Sequence, residues 1–214
     1  MRAAAGADRD FDMTDVLRAA RAAAAGLFVF AFWFDGKADA AALEQAAIAP
    51  AGFINFEMRY PEEIRDTAPA FATGPQIEAA RVINGIVNGN VIWRETRLWT
   101  IAPNGPSQGD CKTYALTKRH DLRQVGVPDG ALRLAIVYTP HYKQLHMILE
   151  LQTADGVYVL DSLKNDSDET FYKTTAMPTS YTVLKYEAWG RPEHWLAPAV
   201  LTSQYDAGGQ DISY

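Results

Sequence analysis

The spacing of apolar positions changes character about midway along the chain. Upstream, Ala79, Val82, Ile83, Ile86 and Val87 recur at helical spacing and predict a helix that starts after Pro75. A second helix is predicted from Asp110, a good N-cap, to a stop at Gly126 and Pro128. Its expected buried stripe is Tyr114, Ala115, Leu122 and Val125. Beyond it the period shortens. Residues 132–138, 146–151, 157–163 and 182–189 read as strands, and the polar residues 152–156 read as a hairpin turn between the second and third. Residues 49–52, 60–63 and 103–106 read as loops, with Phe53-Ile54-Asn55-Phe56 as a short apolar segment between the first two. Helices followed by a run of antiparallel strands predict an α+β fold.

The N-terminal end has a different pattern. Arg18 and Arg21 precede the apolar run 22–34, and Ala38-Asp39-Ala40 follows shortly after. Basic, apolar, then small-x-small is the order of a secretory signal. The run is shorter than the roughly 20 apolar residues of a spanning helix. Residues 1–40 are therefore expected to be a cleaved leader, with Met13 as an alternative start, and residues 41–214 the working domain. A periplasmic or secreted location follows from that reading.

Composition narrows the chemistry. The chain has 214 residues, 48% of them apolar, which is enough for a packed core. A formal net charge of -6 argues against nucleic acid as a partner, since phosphate binding needs a basic surface. The single cysteine, Cys111, excludes an intramolecular disulfide and any zinc site built on several thiolates.

Cys111 follows Gly109-Asp110, so it falls in the first turn of the predicted helix. Free N–H groups and the positive end of the dipole there favour a thiolate, the nucleophilic form. The Cys111 N–H is also placed to donate to a developing oxyanion, and Gly109 leaves room for a substrate backbone. Of four histidines, His120 lies on the same helix too far along to reach the sulfur, and His194 sits among Arg191, Pro192 and Trp195 in an expected surface loop. His146, opening a strand, is the best base, with His141 in reserve. Asp161 ends an apolar strand, where a carboxylate needs a partner, and is the candidate to orient the imidazole. The midpoint of His146 and Asp161 falls between Thr153 and Ala154, so a wide turn or a bulge would set them directly opposite. A tight turn at Asp155-Gly156 would leave them on one face but several residues apart.

The stretch from Gly109 to Lys118, Gly-Asp-Cys-Lys-Thr-Tyr-Ala-Leu-Thr-Lys, resembles the Gly-Asp-Cys-Glu-Asp-Tyr-Ala-x-x-Lys motif of the bacterial transglutaminase-like cysteine peptidases. Ile83-Asn84-Gly85-Ile86-Val87-Asn88, the run from Leu122 to Pro128, Leu132-Arg133-Leu134, His146-Met147-Ile148-Leu149 and Val159-Leu160-Asp161-Ser162-Leu163 extend the similarity, as does Ala49-Pro50-Ala51-Gly52-Phe53 upstream. The resemblance implies a papain-like, transglutaminase-core fold, a Cys-bearing helix on an antiparallel sheet, and a Cys111-His146-Asp161 triad. It implies a protein substrate, a large surface adhesin cut in a linker with paired alanines, and restraint by an inner-membrane receptor for cyclic di-GMP. Gln108 and Trp99 are the candidates for a second oxyanion donor, Trp99 being otherwise an ordinary core aromatic. The family's calcium, held by acidic residues beside the nucleophile, meets only Asp110 here, because Lys112 and Thr113 replace the acidic pair. No cofactor is expected to be required. Hydrolysis and acyl transfer to an amine share the first chemical step and are not separated by the sequence, and a module that kept the fold without activity is the third reading.

Overall fold

A computed structural model describes residues 44–198. The expected leader, residues 1–40, and the alternative start at Met13 lie outside that range. Nine strands and three α-helices follow in the order β1 (Glu44–Ala47), α1 (Ala51–Arg59), α2 (Gly74–Asn90), β2 (Val91–Trp93), β3 (Ser107–Gly109), α3 (Cys111–Gln124), β4 (Leu132–Thr139), β5 (Gln144–Thr153), β6 (Gly156–Leu160), β7 (Phe171–Lys173), β8 (Thr182–Ala188) and β9 (Arg191–Pro198). Seven strands form one antiparallel sheet in the order β1-β9-β8-β4-β5-β6-β7, and β2 and β3 make a small parallel pair.

Local chemistry explains the helix ends. Gln76 Oε1 accepts from the Thr73 N–H at 2.8 Å and the Thr73 hydroxyl at 3.1 Å, closing the start of α2. Asp110 Oδ1 accepts from the Lys112 N–H at 3.1 Å and caps α3. Gly126, with φ 85°, takes the left-handed conformation that ends α3, and the Val127 N–H returns to the Leu122 carbonyl.

Alternation along β4 and β5 divides the apolar residues between two faces. Leu134, Ile136, Met147, Leu149 and Leu151 lie under the helices with Phe53, Phe56, Trp99, Ala115, Leu116 and Trp195. Ala135, Val137, Ile148 and Val159 pack on the other face with Tyr172 and Tyr186. Helix α3 is enclosed far more completely than its expected stripe implied: Lys112 to Arg119 and Leu122 are all buried. Within it, Arg119 Nη1 lies 3.0 Å from both carboxylate oxygens of Glu187, and Glu187 Oε2 accepts the Leu134 N–H at 2.8 Å.

Several expectations are corrected. Residues 53–56 are not an isolated segment but the middle of α1. In α2 the buried positions are Ala80, Asn84 and Val87, while Val82 and Ile86 are exposed. Asn84 takes an inward place because its amide binds the Thr170 carbonyl and hydroxyl. Val125 is exposed, since α3 has already ended and the chain is turning at Gly126. The third predicted strand stops at Leu160, and β1, β2, β3, β7 and β9 were not foreseen.

Arg119→Met strands the fully buried Glu187 carboxylate and is expected to lower stability by about 3–5 kcal/mol. Arg119→Met combined with Glu187→Leu is expected to recover most of it. Urea unfolding of the three proteins checks both.

Candidate active site

The β5–β6 hairpin sets the site. Thr153 pairs with Gly156, so the loop is the two residues Ala154 and Asp155, tighter than the wide turn anticipated. Gly156 accepts this turn with φ 118°. In the resulting register Leu160 pairs with Leu149, so His146 and Asp161 are diagonal neighbours on one face rather than directly opposite. A diagonal offset is within reach of an imidazole, and no bulge is needed: His146 Nε2 lies 2.6 Å from Asp161 Oδ1.

Asp161 is completely buried, and each of its polar groups has a partner. Oδ1 also accepts the Leu163 N–H at 2.8 Å, and Oδ2 accepts the Tyr172 hydroxyl at 2.7 Å. Its N–H donates to the Thr170 carbonyl, and its carbonyl accepts from Asn88 Nδ2 at 2.8 Å. Burial pushes the carboxyl up, but the His146 charge and these hydrogen bonds outweigh it and hold the group below its usual range. Tyr172 and Asn88 escaped the sequence reading. Asn88 lies in the quoted stretch 83–88 and Tyr172 in a strand of three residues, and neither carries a charge or a recognisable spacing.

His146 is buried on the same face, its ring edge-on to Tyr181 at 6.4 Å. Burial pulls its pKa down, yet the Asp161 charge and hydrogen bond, with help from Cys111 as hydrogen-bond partner and charge, raise it to about 9. Because Nε2 is committed to Asp161, Nδ1 is the ring nitrogen left for the sulfur.

Cys111 is the first residue of α3 and is partly exposed. It reaches the ring at an interruption in the sheet. β6 pairs with β5 only from Leu149 onward, so the His146 end of β5 has no β6 neighbour. Gly109 is needed here for packing, since a Cβ would meet the Thr113 side chain at 2.4 Å. Lys118, seven residues along α3 from the sulfur, is fully buried with no hydrogen-bond partner for Nζ among the described residues, its ammonium 5.9 Å from the centre of the Tyr114 ring. Burial lowers its pKa to about 7, against the opposing pull of Asp161.

The other candidates are placed as follows. Trp99 is a core aromatic, edge-on to Phe53, its indole N–H shut in against Gly52, where a Cβ would lie 2.2 Å from Nε1. That position does not suit an oxyanion donor. Gln108 is exposed on β3, and its Oε1 accepts from Arg94 Nη1 at 2.6 Å, leaving its amide nitrogen free to donate. It lines a cleft of about 440 Å³ with Arg94, Glu95, Thr96, Leu98, Thr100 and Gly109. His141 is exposed in the β4–β5 turn, His120 binds Glu63 at 2.6 Å, and His194 binds Arg191 at 2.8 Å. None of these three joins the site. Asp110 is engaged by Lys112 and Thr96.

Helices on one face of an antiparallel sheet, the central one opened by a cysteine, define a papain-like, transglutaminase-core cysteine peptidase. The chain belongs to the bacterial transglutaminase-like cysteine proteinases (BTLCP), whose profile matches residues 43–200. Among solved structures it is similar to Legionella pneumophila LapG, at 22% identity over 63% of this chain and 82% of that one, with a TM-score of 0.43. The calcium-bound form of that protein aligns at 21% identity over 53% and 70%, with a TM-score of 0.40. The EGTA-treated form aligns at 20% over 63% and 82%, with a TM-score of 0.41. No curated protein matches the sequence.

The raised His146 pKa fixes the sign of a pH effect. The paired, protonated ring contributes stability that is complete below the ordinary value near ~6.5 and lost as pH rises through about 9. The stability difference between the wild type and His146→Gln is therefore expected to shrink across that window in denaturant melts taken at stepped pH. Tyr172→Phe leaves Asp161 Oδ2 without its donor and is expected to lower stability by about 1–3 kcal/mol in the same assay.

Proposed function

We propose that this peptidase is an exported endopeptidase whose nucleophile is Cys111. The His146–Asp161 pair, buried and beside a partly exposed sulfur at a helix N-terminus, is the observation that carries the reading. A cation next to a cysteine favours the thiolate, and the ring nitrogen facing the sulfur holds the proton needed by a leaving amine. The thiolate attacks the peptide carbonyl. His146 Nδ1 protonates the departing nitrogen, then takes a proton from the water that releases the acyl group. Asp161 fixes the tautomer and orientation of the ring. The Cys111 N–H, which has no acceptor within the helix, and the Gln108 amide are the donors proposed for the oxyanion.

The leader-like pattern of residues 1–40 supports a periplasmic or secreted location. The family resemblance supports a large cell-surface adhesin with a paired-alanine linker as substrate class, and an inner-membrane cyclic di-GMP receptor as the restraining partner. Calcium is not proposed as a cofactor, because the Asp110 carboxylate already accepts from Lys112 and from the Thr96 N–H.

Cys111→Ser and His146→Ala are expected to bring cleavage of such a linker to background while the domain stays folded. Asp161→Asn is expected to lose about 10⁴-fold in rate and keep a residue of activity. Incorporation of a fluorescent amine into a glutamine peptide, without cleavage, would assign acyl transfer instead. Alkylation of Cys111 by iodoacetamide near pH 6 at no more than the free-cysteine rate would mark an inactive module.

A further inference from the structure

The two residues after Cys111 take no part in the His146–Asp161 network. Family resemblance implies a metal ion held by acidic side chains at this turn, and the donors present do not fit one. Asp110 is the only carboxylate of that group, and both of its oxygens are engaged. Oδ1 accepts the Lys112 N–H, and Oδ2 accepts the Thr96 N–H at 3.2 Å and the Lys112 ammonium. Thr113 turns inward against Gly109, its hydroxyl 3.4 Å from that of Thr100. Among the described residues no three His, Cys, Asp or Glu side chains gather as a metal site would require.

A closed ring of charge-assisted bonds stands there instead. The Thr96 N–H donates to Asp110, Asp110 binds the Lys112 ammonium, and that ammonium donates back to the Thr96 carbonyl at 3.1 Å. A carboxylate oxygen and a backbone carbonyl are the kinds of donor that a hard divalent cation selects. Asp110 is 6% exposed and Lys112 9%, so solvent does not screen the pair as it would a surface salt bridge. The ring clamps a distant segment, since Thr96 lies sixteen residues upstream of Lys112. The Arg94 N–H, bonded to the Gly109 carbonyl at 2.8 Å, fixes the other end of that segment. Arg94, Glu95, Thr96, Leu98 and Thr100 line the cleft together with Gln108 and Gly109, and Gly109 lies two residues before the sulfur.

We propose that the Lys112 side chain is a tethered cation that does at this turn what a bound divalent ion would do. It locks the 94–98 loop onto the turn carrying Cys111 and so shapes the wall of the cleft without metal. Lys112 is a positioning residue that acts through Asp110 and Thr96. A covalently attached cation is present at a fixed, high effective concentration, so the loop is held at every calcium level. The activity arm of the test rests on the reading of Cys111 as nucleophile, whereas the exchange and melting arms do not.

The test is amide hydrogen exchange at residues 94–98 and thermal unfolding, in calcium and in EGTA, for the wild type and three variants. The wild type is expected to behave identically in both. Lys112→Met is expected to lose protection at 94–98 in both conditions, with kcat/KM down by about tenfold or more as the cleft wall loosens. Lys112→Arg is expected to keep the protection. Lys112→Glu puts a second carboxylate beside Asp110 and is expected to loosen or unfold in EGTA. Added calcium alone should restore its protection, with an unfolding midpoint that climbs with calcium concentration. Wild-type protection that responds to calcium, Lys112→Met protection equal to wild type, or a Lys112→Glu protein indifferent to calcium would each overturn the proposal. Because exchange and melting need no turnover, those failures are distinct from a failure of the peptidase reading.

Discussion

A carboxylate with no exposure to water is tolerated only when both of its oxygens find donors. The Asp161 carboxylate is held by three groups from different parts of the chain, His146 on β5, Tyr172 on β7 and the Leu163 N–H in the following turn, while Asn88 at the end of α2 donates to its backbone carbonyl. The imidazole is locked in turn, one nitrogen spent on the carboxylate and the other left toward the sulfur. Helix, sheet edge and loop are thus tied to one buried residue, and the orientation of the ring follows from how its charge is neutralised.

The same economy of buried polarity runs along α3. The helix is enclosed on nearly all sides although it carries Lys112, Lys118 and Arg119. Arg119 ties it to β8 through Glu187, and Lys112 ties its first turn to the loop before β3. Apolar contacts place the helix on the sheet. Charged pairs, which are directional, fix its rotation and the height of its first turn. That turn presents Cys111, so the pairs at both ends of the helix bear on where the sulfur sits.

Much of this was legible in the residues. Asp110, Gly126 and Pro128 bound α3 as read, and the strand pattern after Pro128 located β4, β5 and β8 within a few residues. His146 and Asp161, singled out from different strands, lie 2.6 Å apart, and Cys111 opens α3 as expected. What escaped had physical causes. The stripes of α2 and α3 were misjudged because Asn84 and several charged residues are buried by pairing, which hydrophobic spacing does not register. The short strands β2, β3 and β7 lack enough residues to show a period. The hairpin register falls between the two that the sequence offered: the chain turns at Ala154-Asp155, one residue before a tight Asp155-Gly156 turn and one after a turn centred between Thr153 and Ala154, and Gly156 is the first paired position.

The early end of β6 sets a rule of length for this domain. His146 and Asp161 are fifteen positions apart, and every residue between them is committed to paired strand or to a two-residue loop. One residue added within either paired strand of that interval would turn the carboxylate to the opposite side of the sheet. The interval between Asp161 and β7 carries no such count, since its ends are joined by only a few backbone bonds around Asn165 and Thr170. Variation in chain length is therefore confined to one side of the acid, and the hairpin that precedes it works as a fixed ruler.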